Sequence, residues 1–195
     1  PLPIQENDDP ITRAEEELLE IIPASPRKSY DVRRIIELIS DQGSVFEKKP
    51  SYARNIVTSF ARLNGRPVGF VANQARHLAG MLDVKACEKA SQFIGLCDAF
   101  GLPLVMLIDV PGFAIGSEAE KAGLGRRSGR LMFEMGQASV PRVSIVLRKG
   151  YGGGYYAMGG GSAFDNNATF AWPTAEICAM SVEGSVDVAY RKDFE

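Results

Sequence analysis

The sequence of 195 residues lacks the features that mark two broad classes of protein. It contains no apolar run of the roughly 18 residues that a membrane-spanning helix needs. Its 22 basic and 24 acidic residues nearly balance, so it lacks the positive charge by which proteins hold nucleic acid. We therefore expect neither a membrane span nor a nucleic-acid partner.

Residues that bind metals or form disulfides are also scarce. The three cysteines form no CxxC pair and His77 is the only histidine, so the sequence predicts neither a metal site nor a disulfide framework. Apolar neighbours surround Cys87, Cys97 and Cys178, which predicts that each is a small buried side chain. Unpaired cysteines of this kind fit a reducing compartment.

The remaining composition is that of a folded domain with one excess. Hydrophobic residues make up 45% of the chain and charged residues 24%, an ordinary globular mixture that can bury a sizeable core. The 20 glycines are about 10% of the 195 residues, above the usual share of about 7%. The chain begins with Pro1, and we expect it to be part of a longer protein.

The N-terminal part has the composition of a linker with short helices. Residues 1–10 contain three prolines and several acids, which is typical of a linker. The segment Thr12–Glu15 has the spacing of a capping box, which predicts a short helix to about Glu20. Pro23 and Pro26 are expected to stop that helix.

Predicted strands and helices then alternate, which indicates the α/β class. Asp31 and Asp83 are suitable N-caps for helices ending near Gly43 and Phe100, and Asn64-Gly65 is a strong hairpin signal. Strands are predicted over 55–62, 67–73, 104–110, 143–147 and 168–172. Further helices are predicted over 117–138, with a capping box at its start and a break at 123–125, and over 181–191.

The most informative stretch is residues 148–158, Arg-Lys-Gly-Tyr-Gly-Gly-Gly-Tyr-Tyr-Ala-Met. It follows a predicted buried strand and leads into helical sequence, and the start of a helix leaves backbone N–H groups without partners. Gly153 and Gly154 would offer two such donors to a developing oxyanion, and one good donor is worth about 3 kcal/mol of transition-state stabilisation. A flexible turn is the alternative interpretation of the glycines.

Other catalytic motifs do not fit this stretch. The glycines do not complete a dinucleotide fingerprint, and neither GxxxxGK[ST] nor GxSxG occurs. No pair of acids is placed for general acid–base work in the glycine region. Such a site suits a reaction whose base arrives with a cofactor.

A second candidate is the segment Asp109-Val-Pro-Gly-Phe113. It ends a predicted buried strand, at the edge where α/β folds bind ligands. The alternative interpretation is a tight turn in which Phe113 fills the core. Asp109 would bind a metal only if a second acid converged on it, and the sequence offers none.

Further motifs occur in an order that resembles a known family. They are Asn7–Pro10, Ile22-Pro23, Tyr30–Arg33, Asn64–Gly69, Leu82-Asp83, Cys97–Phe100, Asp109–Phe113, Arg148-Lys149, Tyr151–Tyr155 and Ala171–Glu176. Together they resemble the carboxyltransferase (β) subunit of acyl-CoA carboxylases, and the propionyl-CoA carboxylase branch is the most similar.

The resemblance implies a crotonase-like α/β fold, a superhelix of β-β-α units. Residues 1–45 would be a connecting segment and residues 46–195 an incomplete C-terminal domain of a subunit with two such domains. The implied activity is transfer of a carboxyl group from carboxybiotin, on a carrier protein, to the α-carbon of a short-chain acyl-CoA. This chain would be the half of the site that receives biotin, so alone it is expected to be inactive.

The resemblance also implies partners and a location. The partners would be a biotin carboxylase or biotin carrier subunit, the acyl-CoA, and further copies in a dimer-based hexamer. The location would be the cytoplasm, or the mitochondrial matrix in a eukaryote. Two other functions stay open: an acyl-CoA decarboxylase that runs the transfer onto biotin, and a non-catalytic assembly subunit.

The resemblance assigns roles to particular residues. Gly153 and Gly154 would be the catalytic backbone donors that hold the ureido oxygen of biotin, and Gly152 would also contact the cofactor. Substrate contacts are expected from Gly112, Phe113, Tyr151 and Tyr156. The propionyl branch often has Asp at the position of Tyr156, so this tyrosine is expected to reshape the acyl pocket.

Overall fold

The computed structural model describes residues 2–25, 27–162 and 164–191, and these form one mixed sheet with helices on both faces. Pro26, which the sequence predicts as a helix stop, lies outside the described residues. The helices are α1 (Val32–Ile39), α2 (Val84–Ala99), α3 (Ser117–Lys121), α4 (Leu124–Gln137), α5 (Gly152–Ala157) and α6 (Val182–Tyr190). The strands are β1 (Phe46–Glu47), β2 (Ile56–Leu63), β3 (Arg66–Asn73), β4 (Leu104–Val110), β5 (Arg142–Tyr151), β6 (Ala168–Ala171) and β7 (Glu176–Cys178).

The first predicted helix is only a 3-10 turn, Glu16–Leu19, and the predicted capping box is wrong. The residue that precedes the turn is Glu15, and no side chain caps it. The Arg13 side chain in this segment donates instead to Glu15 and to the carbonyl oxygen of Ser40. The segment therefore docks on the end of α1 and forms no α-helix.

The two predicted aspartate caps are confirmed. The Asp31 carboxylate accepts a hydrogen bond from the N–H of Arg33 at the start of α1, and the Asp83 carboxylate accepts one from Ala86 at the start of α2. α1 ends at its C-cap Ser40, before Gly43, whose φ of +70° places it in the following turn.

The helical segment after β4 is divided at Gly123, as its glycines predict. Gly123 has a left-handed backbone and precedes α4. The capping box predicted at the start of α3 is wrong, because Ser117 lies inside the helix and Gly116 precedes it without a side-chain cap. Gly116 has a φ of +104°, which a residue with a side chain rarely adopts.

The sheet has the order β1-β2-β3-β4-β5-β6, with β7 also paired to β5. β2 and β3 form the predicted antiparallel hairpin, and its turn residues Asn64 and Gly65 both have positive φ, as a type I′ turn requires. β3, β4, β5, β6 and β7 pair in parallel. The sequence did not predict β1 and β7, because two or three residues are too few to show a period.

The apolar residues of β4, which only Asp109 interrupts, reflect burial on both faces of the sheet. Alternate residues from Leu104 to Val110 pack with α2 and α4, while Val105 and Leu107 pack with α1 on the opposite face. All seven residues of β4 are buried. Because β3, β4 and β5 are parallel, their carboxyl ends reach one edge of the sheet, here called the carboxyl edge.

Two of the three cysteines are buried and one is not. Cys87 and Cys97 lie in the core beside α4, and burial raises the pKa of each thiol to about 12. The prediction of a buried side chain is wrong for Cys178, which lies on β7 at the sheet margin and is partly exposed.

This difference predicts selective labelling. A thiol reagent at pH 8 should modify Cys178 in the folded protein within minutes, because only the thiolate reacts and the buried thiols stay protonated. Cys87 and Cys97 should react only after unfolding in denaturant. Peptide mass spectrometry checks this result, and native labelling of Cys87 at the rate of Cys178 would contradict it.

Two absences in the described part of the chain concern membranes and metals. Among residues 2–25, 27–162 and 164–191, no helix has both the length and the apolar character that crossing a bilayer requires. Over the same residues, no three side chains of His, Cys, Asp or Glu come together in an arrangement that would hold a metal ion.

Candidate active site

The glycine helix α5 follows β5 directly at the carboxyl edge. Gly152 begins it with a φ of +52°, and a methyl group on Gly152 would lie 2.9 Å from the carbonyl oxygen of Ala179. Gly153 and Gly154 complete the first turn, where backbone N–H groups have no partner within the helix. The sequence therefore folds here into a short helix rather than a flexible turn.

The Pro-Gly-Phe turn that follows β4 packs directly against this helix. A methyl group on Gly154 would lie 3.0 Å from both the Cα of Gly112 and the Cγ2 of Val110. A methyl group on Gly153 would lie 3.3 Å from the ring of Phe113. The structure thus brings the two segments singled out in the sequence together at one place.

The start of α2 holds the Pro-Gly-Phe turn in position. The N–H of Leu82 donates to the carbonyl oxygen of Gly112 at 3.0 Å, and the N–H of Ala114 donates to the carbonyl oxygen of Leu82 at 2.8 Å. The Phe113 ring is partly buried against the core that contains α2 and α4. It covers the core and also forms an apolar wall beside Gly153.

The two tyrosines assigned to substrate contact lie in different surroundings. Tyr151 is buried, and its hydroxyl donates to the Glu176 carboxylate at 2.5 Å. Burial first, and this hydrogen bond second, raise the pKa of Tyr151 above its usual value. Tyr156 is 54% exposed on α5 and lies beside Tyr155, with 5.9 Å between the ring centroids.

A buried ion pair joins β4 and β5 just before the Pro-Gly-Phe turn and α5, and the sequence did not predict it. Arg148 Nη2 lies 3.0 Å from Asp109 Oδ2, and Asp109 is fully buried. The N–H of Lys149 donates to Asp109 Oδ1 at 3.0 Å. The side chain that meets Asp109 is thus the cation Arg148 and not a second acid. This pair is unsuited to holding a metal ion.

Arg148 also ties the N-terminal segment to this edge of the sheet. Its Nη1 donates to the carbonyl oxygen of Lys28 at 2.8 Å, and its guanidinium lies 5.1 Å from the ring centroid of Tyr30. Burial, followed by the neighbouring Asp109 carboxylate, raises the pKa of Tyr30 above its usual value. The segment before α1 is therefore part of the scaffold of the site.

A left-handed turn completes the carboxyl edge. Leu78, Ala79 and Gly80 have φ values of +49°, +52° and +78°. The buried Asn73 side chain holds this turn, because its Nδ2 donates to the carbonyl oxygen of Gly80 at 3.1 Å. Its Oδ1 accepts from the N–H of Asp109 at 3.2 Å, which links the turn to β4.

Comparison with solved structures identifies the class of domain to which this fold and edge belong. The chain superimposes on transcarboxylase 12S, solved with methylmalonyl-CoA and methylmalonic acid bound, with a TM-score of 0.92 and 44% identity. The match covers 97% of this chain and 36% of that one. The mixed α/β fold is thus the fold of a carboxyltransferase domain.

Sequence comparison then identifies the family. Residues 1–195 match the family model described as "Carboxyl transferase domain", and the chain belongs to that family. It is 45% identical, over 92% of its length, to the methylmalonyl-CoA carboxyltransferase 12S subunit of Propionibacterium freudenreichii subsp. shermanii. It is 40% identical, over 98% of its length, to the mitochondrial propionyl-CoA carboxylase beta chain of Mus musculus. The chain spans 34% and 35% of these relatives.

Proposed function

We propose that this chain is the biotin-facing half of a carboxyltransferase site. The whole protein would move a carboxyl group from carboxybiotin on a carrier protein to the α-carbon of a short-chain acyl-CoA. The observation that carries this proposal is the contact between the Pro-Gly-Phe turn and the first turn of α5, where Gly153 and Gly154 offer two N–H donors at one edge. Membership of the carboxyl transferase family supports it.

The residues present fit the ureido group of biotin. That group is neutral and flat, with an oxygen that accepts hydrogen bonds, so backbone N–H donors next to an apolar ring suit it. The N–H donors are those of Gly153 and Gly154, and the ring is that of Phe113. Carboxybiotin, when bound, supplies the carboxyl group and the base that the sequence lacks.

The chain's own contribution is then orientation and charge stabilisation. Fixed N–H donors stabilise negative charge where it develops, and they need no rearrangement as the reaction proceeds. The Phe113 ring, which lies beside Gly153, would limit the access of water from that side. Asp109 and Arg148 are buried and paired with each other, so neither is free to act as the acid or the base.

The proposed assembly follows the relatives. Our expected partners are a biotin carboxylase or biotin carrier subunit, acyl-CoA, and further copies in a dimer-based hexamer. Hexamer assembly is described for the transcarboxylase 12S structure. Exposed apolar side chains near the C-terminal strands and α6 fit such contacts; they include Phe170, Ile177, Val182, Val188 and Tyr190.

Fold type, domain division and location are further parts of this proposal. The succession of β2, β3 and α2 is one β-β-α unit, which supports a crotonase-like superhelix. The division into a connecting segment, 1–45, and a C-terminal domain, 46–195, stays a prediction, and α1 of that segment packs on the sheet. The proposed location is the cytoplasm, or the mitochondrial matrix in a eukaryote; the mouse relative is described as mitochondrial.

The test uses the full-length protein that contains this chain, together with its carboxylated carrier. Transfer of labelled carboxyl from the carrier to acetyl-, propionyl- or butyryl-CoA would support the proposal. Net transfer of the carboxyl group from a carboxylated acyl-CoA to biotin, followed by release of that group from carboxybiotin as carbon dioxide, would identify a decarboxylase instead. An intact complex without transfer in either direction would identify an assembly subunit and overturn the proposal.

We expect Tyr156 to influence which acyl-CoA this site prefers. We expect Tyr156→Asp to change the ratio of kcat/KM for propionyl-CoA to kcat/KM for acetyl-CoA by about tenfold. The two substrates differ by one methylene group, and the fit of one methylene in an apolar pocket is worth about that factor. A matched control is Phe100→Asp, which replaces an exposed aromatic residue at the far end of α2. An unchanged ratio in Tyr156→Asp would remove Tyr156 from the acyl pocket.

A further inference from the structure

The pairing of β4 with β5 is interrupted just before the site. Up to Ile108 the two strands pair residue by residue, and the pairing resumes at Val110 and Gly150. Between these points the single residue Asp109 of β4 faces residues 147–149 of β5. Such bulges bend a strand and often lie beside functional sites, where they redirect the chain.

The Asp109 side chain fills the place of the missing ladder partner. A bulge leaves backbone groups without a strand to pair with, and here the N–H of Lys149 donates to Asp109 Oδ1 at 3.0 Å. The other carboxylate oxygen lies 3.0 Å from Arg148 Nη2. Arg148, only 6% exposed, thus neutralises the carboxylate that Lys149 needs as an acceptor.

The bulge determines the direction of the last two residues of β5, here called the exit of β5. Gly150 and Tyr151 follow Lys149 and pair with β7, and α5 begins at Gly152. The orientation of the N–H groups in the first turn of α5 therefore depends on these two residues. A displacement of about 1 Å at such a site can cost about a hundredfold in rate.

We infer that Asp109 is a positioning residue for the site. Its carboxylate accepts a hydrogen bond from the N–H of Lys149 and thereby fixes the exit of β5. The exit in turn sets the direction of the N–H groups of Gly153 and Gly154. Arg148 offsets the cost of burying the carboxylate by pairing with its charge. The catalytic part of this inference rests on the proposed function. The structural part concerns the exit of β5 and is testable by itself.

Two double variants separate positioning from stability. Asp109→Asn/Arg148→Met removes both charges but keeps an oxygen that accepts from Lys149. Asp109→Leu/Arg148→Met removes the charges and the acceptor. Removing both partners of a buried ion pair is often neutral for stability, whereas removing one leaves an uncompensated charge. Both double variants are therefore expected to fold.

In the full-length protein with its carrier, kcat should depend on whether residue 109 offers an oxygen that accepts the N–H of Lys149. We expect Asp109→Asn/Arg148→Met to keep kcat within about threefold, and Asp109→Leu/Arg148→Met to lose about a hundredfold. The KM for acyl-CoA should change less than about threefold in both, because the effect falls on the reacting geometry rather than on substrate binding. Equal kcat values in the two variants would overturn the inference.

Amide hydrogen exchange gives a readout that needs no activity. In Asp109→Leu/Arg148→Met, exchange at Gly150 and Tyr151 should rise about tenfold, while exchange across α2 stays unchanged. A protein without carboxyl transfer would refute the proposed function, and exchange would still decide the positioning role. Unchanged exchange at Gly150 and Tyr151 would overturn that role.

Arg142 provides the matched control for these variants. It lies on the same strand, is 5% exposed, and donates to the carbonyl oxygens of Met135 and Phe164 at the opposite end of β5. Arg142→Met should lower stability but leave kcat within about twofold, because it does not touch the exit of β5. A loss of kcat as large as that of Asp109→Leu/Arg148→Met would show general destabilisation and overturn the inference.

Discussion

Gly154→Val in the full-length protein is expected to lower kcat by about a hundredfold or more and to leave the oligomer intact. A methyl group on Gly154 alone would lie 3.0 Å from the Cα of Gly112 and from Val110 Cγ2. A β-branched side chain must therefore push α5 away from the Pro-Gly-Phe turn. That movement displaces the N–H donors, and losing one oxyanion donor costs about a hundredfold to a thousandfold in kcat.

Neighbouring glycines provide the comparisons for this variant. Gly153→Val should have a smaller effect, because its side chain would meet the Phe113 ring, at 3.3 Å from the first added carbon, and a ring can shift where backbone cannot. Gly129→Val is the control, since Gly129 lies in α4 with open space around it. Steady-state kinetics and sedimentation measure both properties. Normal kcat in Gly154→Val would exclude these N–H groups as the oxyanion site.

The parts of the fold that the sequence predicts correctly have local causes. Asp31 and Asp83 cap helices because a carboxylate reaches N–H groups two or three residues ahead. The Asn64-Gly65 turn follows from two residues that tolerate positive φ. The segment from Leu104 to Val110 is apolar except for Asp109, which predicts burial on both faces of a strand, and the strand has those bounds.

The parts that the sequence did not predict depend on distant residues or on weak patterns. Asp109 and Arg148 are 39 residues apart, and only the parallel pairing of β4 and β5, with its bulge, brings them together. The spacing of a capping box recurs by chance, and it misled at Thr12 and Ser117, where backbone geometry starts the helical turns elsewhere. Neither failure has a remedy within a local window of sequence.

The candidate site divides in the same way. The glycines of α5 and the Pro-Gly-Phe turn were each visible as motifs, because glycine marks a close approach, but their mutual contact is a tertiary feature. The left-handed turn was not visible, because Leu78 and Ala79 carry no signal for positive φ. Such residues stay in that conformation only where the surroundings hold them, as Asn73 does here.

The left-handed turn predicts a large loss of stability from one methyl group. In Gly80→Ala the added carbon would lie 2.6 Å from the carbonyl oxygen of Asp109, at a φ of +78°. Left-handed strain of about 1–2 kcal/mol and overpacking of about 1–3 kcal/mol should together lower the free energy of unfolding by about 3 kcal/mol. Gly43→Ala is the matched control, because its φ is +70° but nothing lies within 4 Å of the added carbon, so only the strain remains. Urea unfolding of both variants isolates the steric contribution, and equal losses would mean that the turn moves away from β4 at little cost.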